Sequence, residues 1–198
     1  MSESTALSPE AINQLFNTHR TVNHFTDQEV TDEQLKEIYE LTKMGPTAFN
    51  SQPLRITYLR SAESRARLIP HLVESNREKT EKAPVTAVLS FDTNWSERFP
   101  EFNPRAAGMR EMFRDNEGVR HSSGLLSSSI AAGYFIIATR ALGLAAGPMT
   151  GADFEGITQE FFPGGERKAF LAVNLGYGVL PEYDRNPRFS FDEVAEIL

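Results

Sequence analysis

A chain of 198 residues with 40% hydrophobic and 24% charged residues has the balance of an ordinary globular domain, long enough to bury a core and a cofactor, which excludes a disordered or fibrous design. The formal net charge of −7, with Lys and Arg scattered instead of forming runs, argues against a nucleic-acid partner. Cysteine is absent, which rules out disulfides, thiolate nucleophiles and Cys-ligated zinc or iron–sulfur centres, fits a reducing cytoplasm, and means that redox chemistry needs a bound cofactor.

Met1 to Pro9 lacks a basic segment followed by an apolar core, so no secretory signal is expected. Ser8-Pro9-Glu10 reads as an N-cap, a proline at the first helical position and an early acid. With Ile12, Leu15 and Phe16 on one face, it predicts a helix running to His19 or Arg20. Thr31 with Gln34 forms a capping-box pattern, and Leu35, Ile38, Tyr39 and Thr42 carry the next helix to a stop at Gly45-Pro46. Arg55 to Arg60 alternates like a strand, Ala62 to Leu72 reads as helical, and Val85 to Phe91 is β-rich enough for a buried strand.

From Asp92 to Gly118 the pattern loosens around Pro100, Pro104 and Gly108, and Trp95, Phe99, Phe102 and Phe113 look exposed, which suits a mobile cover. Gly118 to Leu142 reads as a long central helix, whose Ser127, Ser128, Ala131, Ala132 and Gly133 would let another helix approach closely. The most apolar stretch, Ile130 to Ala146, is interrupted by Arg140 and too short to span a membrane, so a soluble protein is expected. Gly147-Pro148 reads as a chain break, Asp153 as the cap of a helix to Phe162, Ala169 to Leu175 as a strand, and Ser190 with Glu193 as a last cap. These elements predict one domain over residues 1–198 with an α+β layer architecture. No GxGxxG follows a strand, so a Rossmann site for nicotinamide has no motif.

Several polar segments could carry chemistry. In His19-Arg20-Thr21-Val22-Asn23, a guanidinium, a hydroxyl and an amide within one turn can hold a phosphate, or His19 and Arg20 can simply answer a helix dipole. Gly45-Pro46-Thr47-Ala48-Phe49-Asn50-Ser51-Gln52-Pro53 offers side-chain amides of the kind a flavin edge requires, or is a plain helix-to-strand turn. Asn76 and Lys79 share a helical face, either as solvated surface or as a lysine stabilising developing negative charge. Gly147-Pro148-Met149-Thr150-Gly151 permits close backbone approach or merely stops a helix, and Arg185-Asn186-Pro187-Arg188 holds two candidate phosphate ligands. HExxH and a clear Ser-His-Asp set are both missing, and no metal site is expected.

In this order and at these separations the segments resemble the nitroreductase family along nearly the whole chain. The resemblance implies a fold with a mixed or antiparallel central sheet flanked by helices, in an intertwined homodimer with FMN at the subunit interface. It implies that His19, Arg20, Thr21, Asn23, Arg185 and Arg188 serve the FMN phosphate end, and that Asn76 and Lys79 touch the pyrimidine. Pro46, Thr47, Ala48, Asn50 and Gln52 would close over the flavin of the partner subunit, while Pro148, Met149, Thr150 and Gly151 meet N5. NADH or NADPH would then deliver hydride to flavin N5, with no catalytic side chain and ping-pong kinetics.

Within the family the likeness is to the malonic semialdehyde reductase group, carried by Gly45-Pro46-Thr47, Asn76 to Pro84, Ser122-Ser123, Arg140 to Leu144, Gly147 to Gly151 with Asp153, and Asn174 to Gly178. Asn23 stands where many members have a basic residue, and Thr150 where many have Glu. A semialdehyde acid needs a cation for its carboxylate, for which Arg105, Arg110, Arg114 and Arg120 are candidates. Phe49, Phe99, Phe102 and Phe113 could wall the pocket, and Phe49, Phe113 and Arg120 are the expected substrate contacts. The rivals are a general NAD(P)H-dependent nitro or quinone reductase, an FMN-binding protein without turnover, and a dimeric interaction domain without cofactor.

Overall fold

Capping chemistry sets the helix starts in the computed structural model, which describes residues 5–198. The Met1–Pro9 reading therefore rests in part on residues outside the described ones. Ser8 accepts from the Ala11 amide at 3.3 Å and opens α1 (Pro9–Ile12). The helix then widens into a π turn, Asn13–Asn17, and ends short of the expected His19 or Arg20, because the Thr18 amide closes back on the Asn13 carbonyl at 2.9 Å. Strand β1 (His24–Phe25) follows, then α2 (Asp32–Thr42), where both bonds of the Thr31–Gln34 capping box are made, at 3.2 and 3.0 Å.

The chain continues through β2 (Leu54–Leu59), α3 (Ala62–Leu68), α4 (Glu74–Glu81) and β3 (Val85–Asp92). Short helices α5 (Phe99–Phe102) and α6 (Met109–Asp115) lead into the long α7 (Glu117–Ala141). After it come β4 (Ala145–Met149), α8 (Phe154–Phe161), β5 (Arg167–Gly176), β6 (Gly178–Val179) and a one-turn α9 (Phe191–Val194).

The main sheet has the order β2-β3-β5-β4 with every pairing antiparallel, so the mixed alternative falls away, and β1 pairs separately with β6. Along β3, Val85, Ala87 and Leu89 face a core with Ile38 of α2 and Phe135 of α7, whereas Val88 faces Leu68, Leu72 and Ile157 on the other side. Helices thus cover both faces. The expected break at Gly147-Pro148 is instead edge strand β4. Proline is tolerated there because an edge position needs no donor, and the stop after α7 falls at Gly143, whose φ is +76°.

Of two expectations about the middle of the chain, the exposed aromatics are corrected and the small-residue helix contact is met except at Gly133. Trp95, Phe99 and Phe113 are buried, at 1%, 1% and 4% exposure, in their own cluster with Met109, so the 92–118 segment carries a satellite core. The small residues Ser127, Ser128, Ala131 and Ala132 of α7 point inward, where they admit α2 and the sheet, while Gly133 is exposed. The outward face of α7 carries large apolar side chains, Leu126, Ile130 and Tyr134, recurring every four residues. Among the described residues α7 is the one helix long and apolar enough to cross a membrane, and its eight buried positions identify it as the core helix.

Candidate functional site

The chain from His19 to Asn23 is laid across the sheet edge at β4. Gly147 lies so close beneath it that a Cβ there would sit 3.0 Å from the Val22 carbonyl oxygen. Helix α4 flanks the same spot: Lys79 Nζ donates to Asn23 Oδ1 at 3.4 Å, and the buried Asn76 Nδ2 donates to the Gly151 carbonyl at 3.0 Å. A Cβ at Gly151 would fall 2.7 Å from Val73 Cγ2 and 2.9 Å from Asn76 Nδ2, so this position requires glycine or a shift of its neighbours. Under this floor Thr86 donates to Asn174 at 2.8 Å, Asn174 to Thr80 at 3.1 Å, and Thr80 to Met149 Sδ at 3.6 Å. That closed network fixes α4 against β3, β4 and β5. A cavity of about 370 Å³ opens between Asn23, His24, Ser75, Glu78, Lys79 and Lys82. Desolvation lowers the Lys79 pKa, which marks it as a half-buried cation facing this space.

Beside the cleft the two ends of the chain are tied together by guanidiniums. Arg185 donates to the carbonyls of Phe16, Asn17 and His19 at 3.3, 2.9 and 2.9 Å, and Arg20 donates to those of Pro181, at 2.7 Å, and Tyr183. Arg140, from the last turn of α7, donates to the Leu15 carbonyl at 3.0 Å. These arginines form no ion pair among the described residues. Burial and then the Arg140 charge hold His19 below its usual range, and burial and then Arg185 lower Arg140. The His19 Nδ1 atom is buried without a hydrogen-bond partner. Crowded cations, an orphan imidazole nitrogen and carbonyl-held arginine forks form a set that an oxyanion would satisfy. Arg140 was not singled out by sequence reasoning. Its signal was its position, a cation ending an apolar run.

The remaining expected cofactor residues divide. Thr21 and Thr150 are exposed beside the cleft, Pro148 is half-buried in β4, and Met149 is buried in the network beneath. Arg188 bonds only the adjacent carbonyls of Asn186 and Pro187 and does not join the cluster. The Pro46 to Pro53 loop lies apart. Within it the Gln52 amide donates to Thr47 Oγ1 at 3.2 Å and the Ala48 amide to Ser127 Oγ at 3.2 Å. Its tip is tied to the 92–118 segment by Asn50 Nδ2 to the Phe102 carbonyl and Asn103 Nδ2 to the Phe49 carbonyl, each 3.0 Å. Phe49, Asn50 and Gln52 have φ of 55°, 55° and 45°, a left-handed conformation costing non-glycine residues about 1–3 kcal/mol each. The loop borders a cavity of about 400 Å³ with Tyr58, Arg98 and Phe102, and a more open one of about 590 Å³ with Arg105 and Met109.

Two expected substrate contacts have partners within the chain. Arg120 donates to the carbonyls of Thr93, Phe113 and Arg114 at 2.9, 2.9 and 2.7 Å, so its guanidinium braces the segment, and Phe113 is consumed by the satellite core. Phe49 remains available, 44% exposed at the loop tip.

Fold and site together define an antiparallel α+β chain with a cluster of carbonyl-held arginines where its ends meet. The family model described as the nitroreductase family matches residues 17–177. A protein from Streptomyces coelicolor bearing the provisional name NADH dehydrogenase/NAD(P)H nitroreductase is 46% identical over 97% of this chain and 98% of its own. A nitroreductase structure from Exiguobacterium sibiricum, solved in complex with FMN, superposes with a TM-score of 0.83 at 17% identity, over 98% of this chain and 99% of that one. An NAD(P)H:FMN oxidoreductase structure from Staphylococcus epidermidis gives a TM-score of 0.81 at 19% identity over 100% of both chains. The chain belongs to the nitroreductase family.

Proposed function

We propose that this chain is an FMN-dependent NAD(P)H oxidoreductase, working as a cytoplasmic homodimer, and that it reduces malonic semialdehyde to 3-hydroxypropanoate. The observation that carries the cofactor is the Arg20–Arg140–Arg185 group with His19, cations lacking a counter-charge beside an amide- and lysine-lined cleft. A phosphate monoester supplies that charge, and Asn76, Asn23 and Lys79 fit the polar edge of an isoalloxazine. Gly151 lets Val73 and Asn76 pack directly on the backbone, which holds the Asn76 amide in place at the cleft.

When bound, FMN supplies a two-electron store that accepts hydride from NAD(P)H and returns it to a second substrate. The residues of this chain bind and orient. Arg20 and Arg185 would exchange their carbonyl partners in part for phosphate oxygens, while Arg140 keeps the end of α7 locked to the π turn. Lys79 places a positive charge beside the pyrimidine edge, where negative charge grows on reduction. Overall, malonic semialdehyde, NAD(P)H and a proton give 3-hydroxypropanoate and NAD(P)⁺; the aldehyde carbon gains hydride and its oxygen gains the proton.

Dimerisation is supported by the outward stripe of Leu126, Ile130 and Tyr134, and by the Pro46 to Pro53 loop, whose bonds run away from the cleft of its own chain. The names of the relatives favour a second reading, a general NAD(P)H-dependent nitroreductase. Anaerobic titration separates them. The purified protein with FMN should be bleached by NADH or NADPH and recoloured by malonic semialdehyde. Recolouring by nitroaromatics alone would favour the second reading, and no bleaching would leave an FMN-binding protein without turnover.

A further inference from the structure

We infer that Arg105, in the open cavity beside Phe49, is the receptor for the carboxylate of an anionic acceptor. The inference rests on the oxidoreductase reading for its role in turnover, but the binding site itself is defined by this chain's own side chains.

The other arginines are all engaged. In the same segment Arg98 pairs with Glu101 at 2.6 Å, Arg110 with Glu97 at 3.9 Å, Arg114 with Glu111 at 3.9 Å and Asp115 at 3.5 Å, and Arg120 holds three carbonyls. Elsewhere the guanidiniums have carboxylate partners, carbonyl partners or, for Arg167, the Phe162 ring at 5.4 Å. Arg105 has no hydrogen bond, ion pair or aromatic partner among the described residues. In a chain of net charge −7 where Arg98, Arg110 and Arg114 each face a carboxylate, an unpaired guanidinium is a local focus for anions.

Its surroundings give the focus a shape. The cavity of about 590 Å³ is lined by Phe49, Asn103, Arg105, Ala106, Gly108 and Met109, which is one cation, one amide and an otherwise apolar wall. That combination suits a small organic acid with a carboxylate at one end and an uncharged reactive group at the other. The backbone carrying Arg105 is held. The Ala106 amide closes on the Asn103 carbonyl at 2.9 Å, and the reciprocal Asn103–Phe49 and Asn50–Phe102 bonds fix this turn to the left-handed loop. Phe49 and Arg105 are therefore carried on backbone segments tied to each other. The left-handed backbone at Phe49 sets its ring edge-on against Phe99 and Phe113 of the satellite core, at 6.1 Å each, and leaves its outer side exposed at the cavity, a strained placement of the kind found at ligand clamps.

The test is calorimetric binding to the FMN-loaded protein of 4-nitrobenzoate and its methyl ester, which differ in charge and share the reducible group. Wild type should prefer the carboxylate, and Arg105→Gln should weaken it by roughly tenfold to a hundredfold, as expected for losing a charge-assisted bond, while changing the ester less than about twofold. Arg105→Lys should restore part of the preference, and Arg110→Gln, whose guanidinium is already paired, should leave it intact. Equal loss for acid and ester, the same loss in Arg110→Gln, or no carboxylate preference in wild type would overturn the assignment. Bleaching by NADH and by NADPH is recorded on the same samples. A protein that shows the Arg105-dependent preference without bleaching would sink the oxidoreductase reading and still support the anion receptor.

Discussion

The cleft between the chain ends and the segment that follows β3 both concentrate arginines, and they treat them in opposite ways. In the cleft, Arg20, Arg140 and Arg185 bind backbone carbonyls and face one another, so positive charge accumulates without a carboxylate to cancel it. In the 92–118 segment Arg98, Arg110 and Arg114 each have an acidic partner nearby in sequence or space, Arg105 has none among the described residues, and Arg120, from α7, braces the segment. The segment's cohesion comes instead from Trp95, Phe99 and Phe113, whose rings pack at 4.8 to 5.7 Å. Carbonyl-held cations can be recruited by an incoming anion, since a carbonyl is a weaker partner than a phosphate. Carboxylate-held cations are recruited far less readily, so Arg98, Arg110 and Arg114 act as surface braces, and Arg105, which has no such partner among the described residues, is the segment's one cation left for an anion.

The largest effect should come from breaking the aromatic side of this contrast. Trp95 is 1% exposed and donates from Nε1 to the Arg120 carbonyl at 3.0 Å, and Trp95→Ala should cost about 3–5 kcal/mol in urea unfolding. If the segment is an independent satellite core, the FMN affinity of the remaining folded protein changes little. A loss of flavin binding as large as that of the arginine variants would show the two regions to be coupled.

On the cleft side, Arg185→Ala should weaken FMN binding by about 1–3 kcal/mol in fluorescence titration, and Arg140→Ala by less, because Arg140 stays on the Leu15 carbonyl and contributes its charge without a direct bond. Arg188→Ala, in the same sequence motif but bonded only to its own neighbours, should have little effect. Equal effects of Arg185→Ala and Arg188→Ala would mean that the C-terminal segment rearranges on binding and that the contrast drawn above fails.

What could be read from the sequence was local. The Thr31–Gln34 and Asp153 caps and the buried run Val85 to Phe91 each state their structure within a few residues, and all formed as expected. The pieces that were misread depend on distant partners. Gly147-Pro148 looks like a break until β5 is seen to offer Val173 opposite Pro148. Arg140 looks like an interruption of an apolar run because its carbonyl partner, Leu15, lies 125 residues away. Trp95 with Phe99 and Met109 with Phe113 are each four residues apart, but the two pairs lie on separate short helical stretches divided by Pro100, Pro104 and Gly108, so no run is long enough to announce their burial and the stretch reads as loop. The site was legible as a set of segments, while its division into a cleft and a separate strained loop was not, because sequence order says nothing about which segments share a face.

The smallest predicted effect is also the sharpest probe of the cleft. His19 lies among Arg20, Arg140 and Arg185, and burial followed by the Arg140 charge lowers its pKa from the ordinary 6.5. The unfolded chain therefore takes up a proton at this imidazole at a higher pH than the native apoprotein does, so apoprotein stability is full above 6.5 and falls as the pH drops below it, until the native form protonates too. A bound phosphate reverses the local field and favours the imidazolium, so the loaded protein should lose less stability over the same interval. The second ionisation of the phosphate itself, near ~6, acts on any variant alike and cancels on comparison. Melting curves of apo and FMN-loaded protein, recorded from about pH 5 to pH 8, should diverge toward acid in wild type and run parallel in His19→Gln. Divergence that survives in His19→Gln would place the phosphate away from this imidazole, and with it would go the argument that the unpaired cations of the cleft are waiting for an anion.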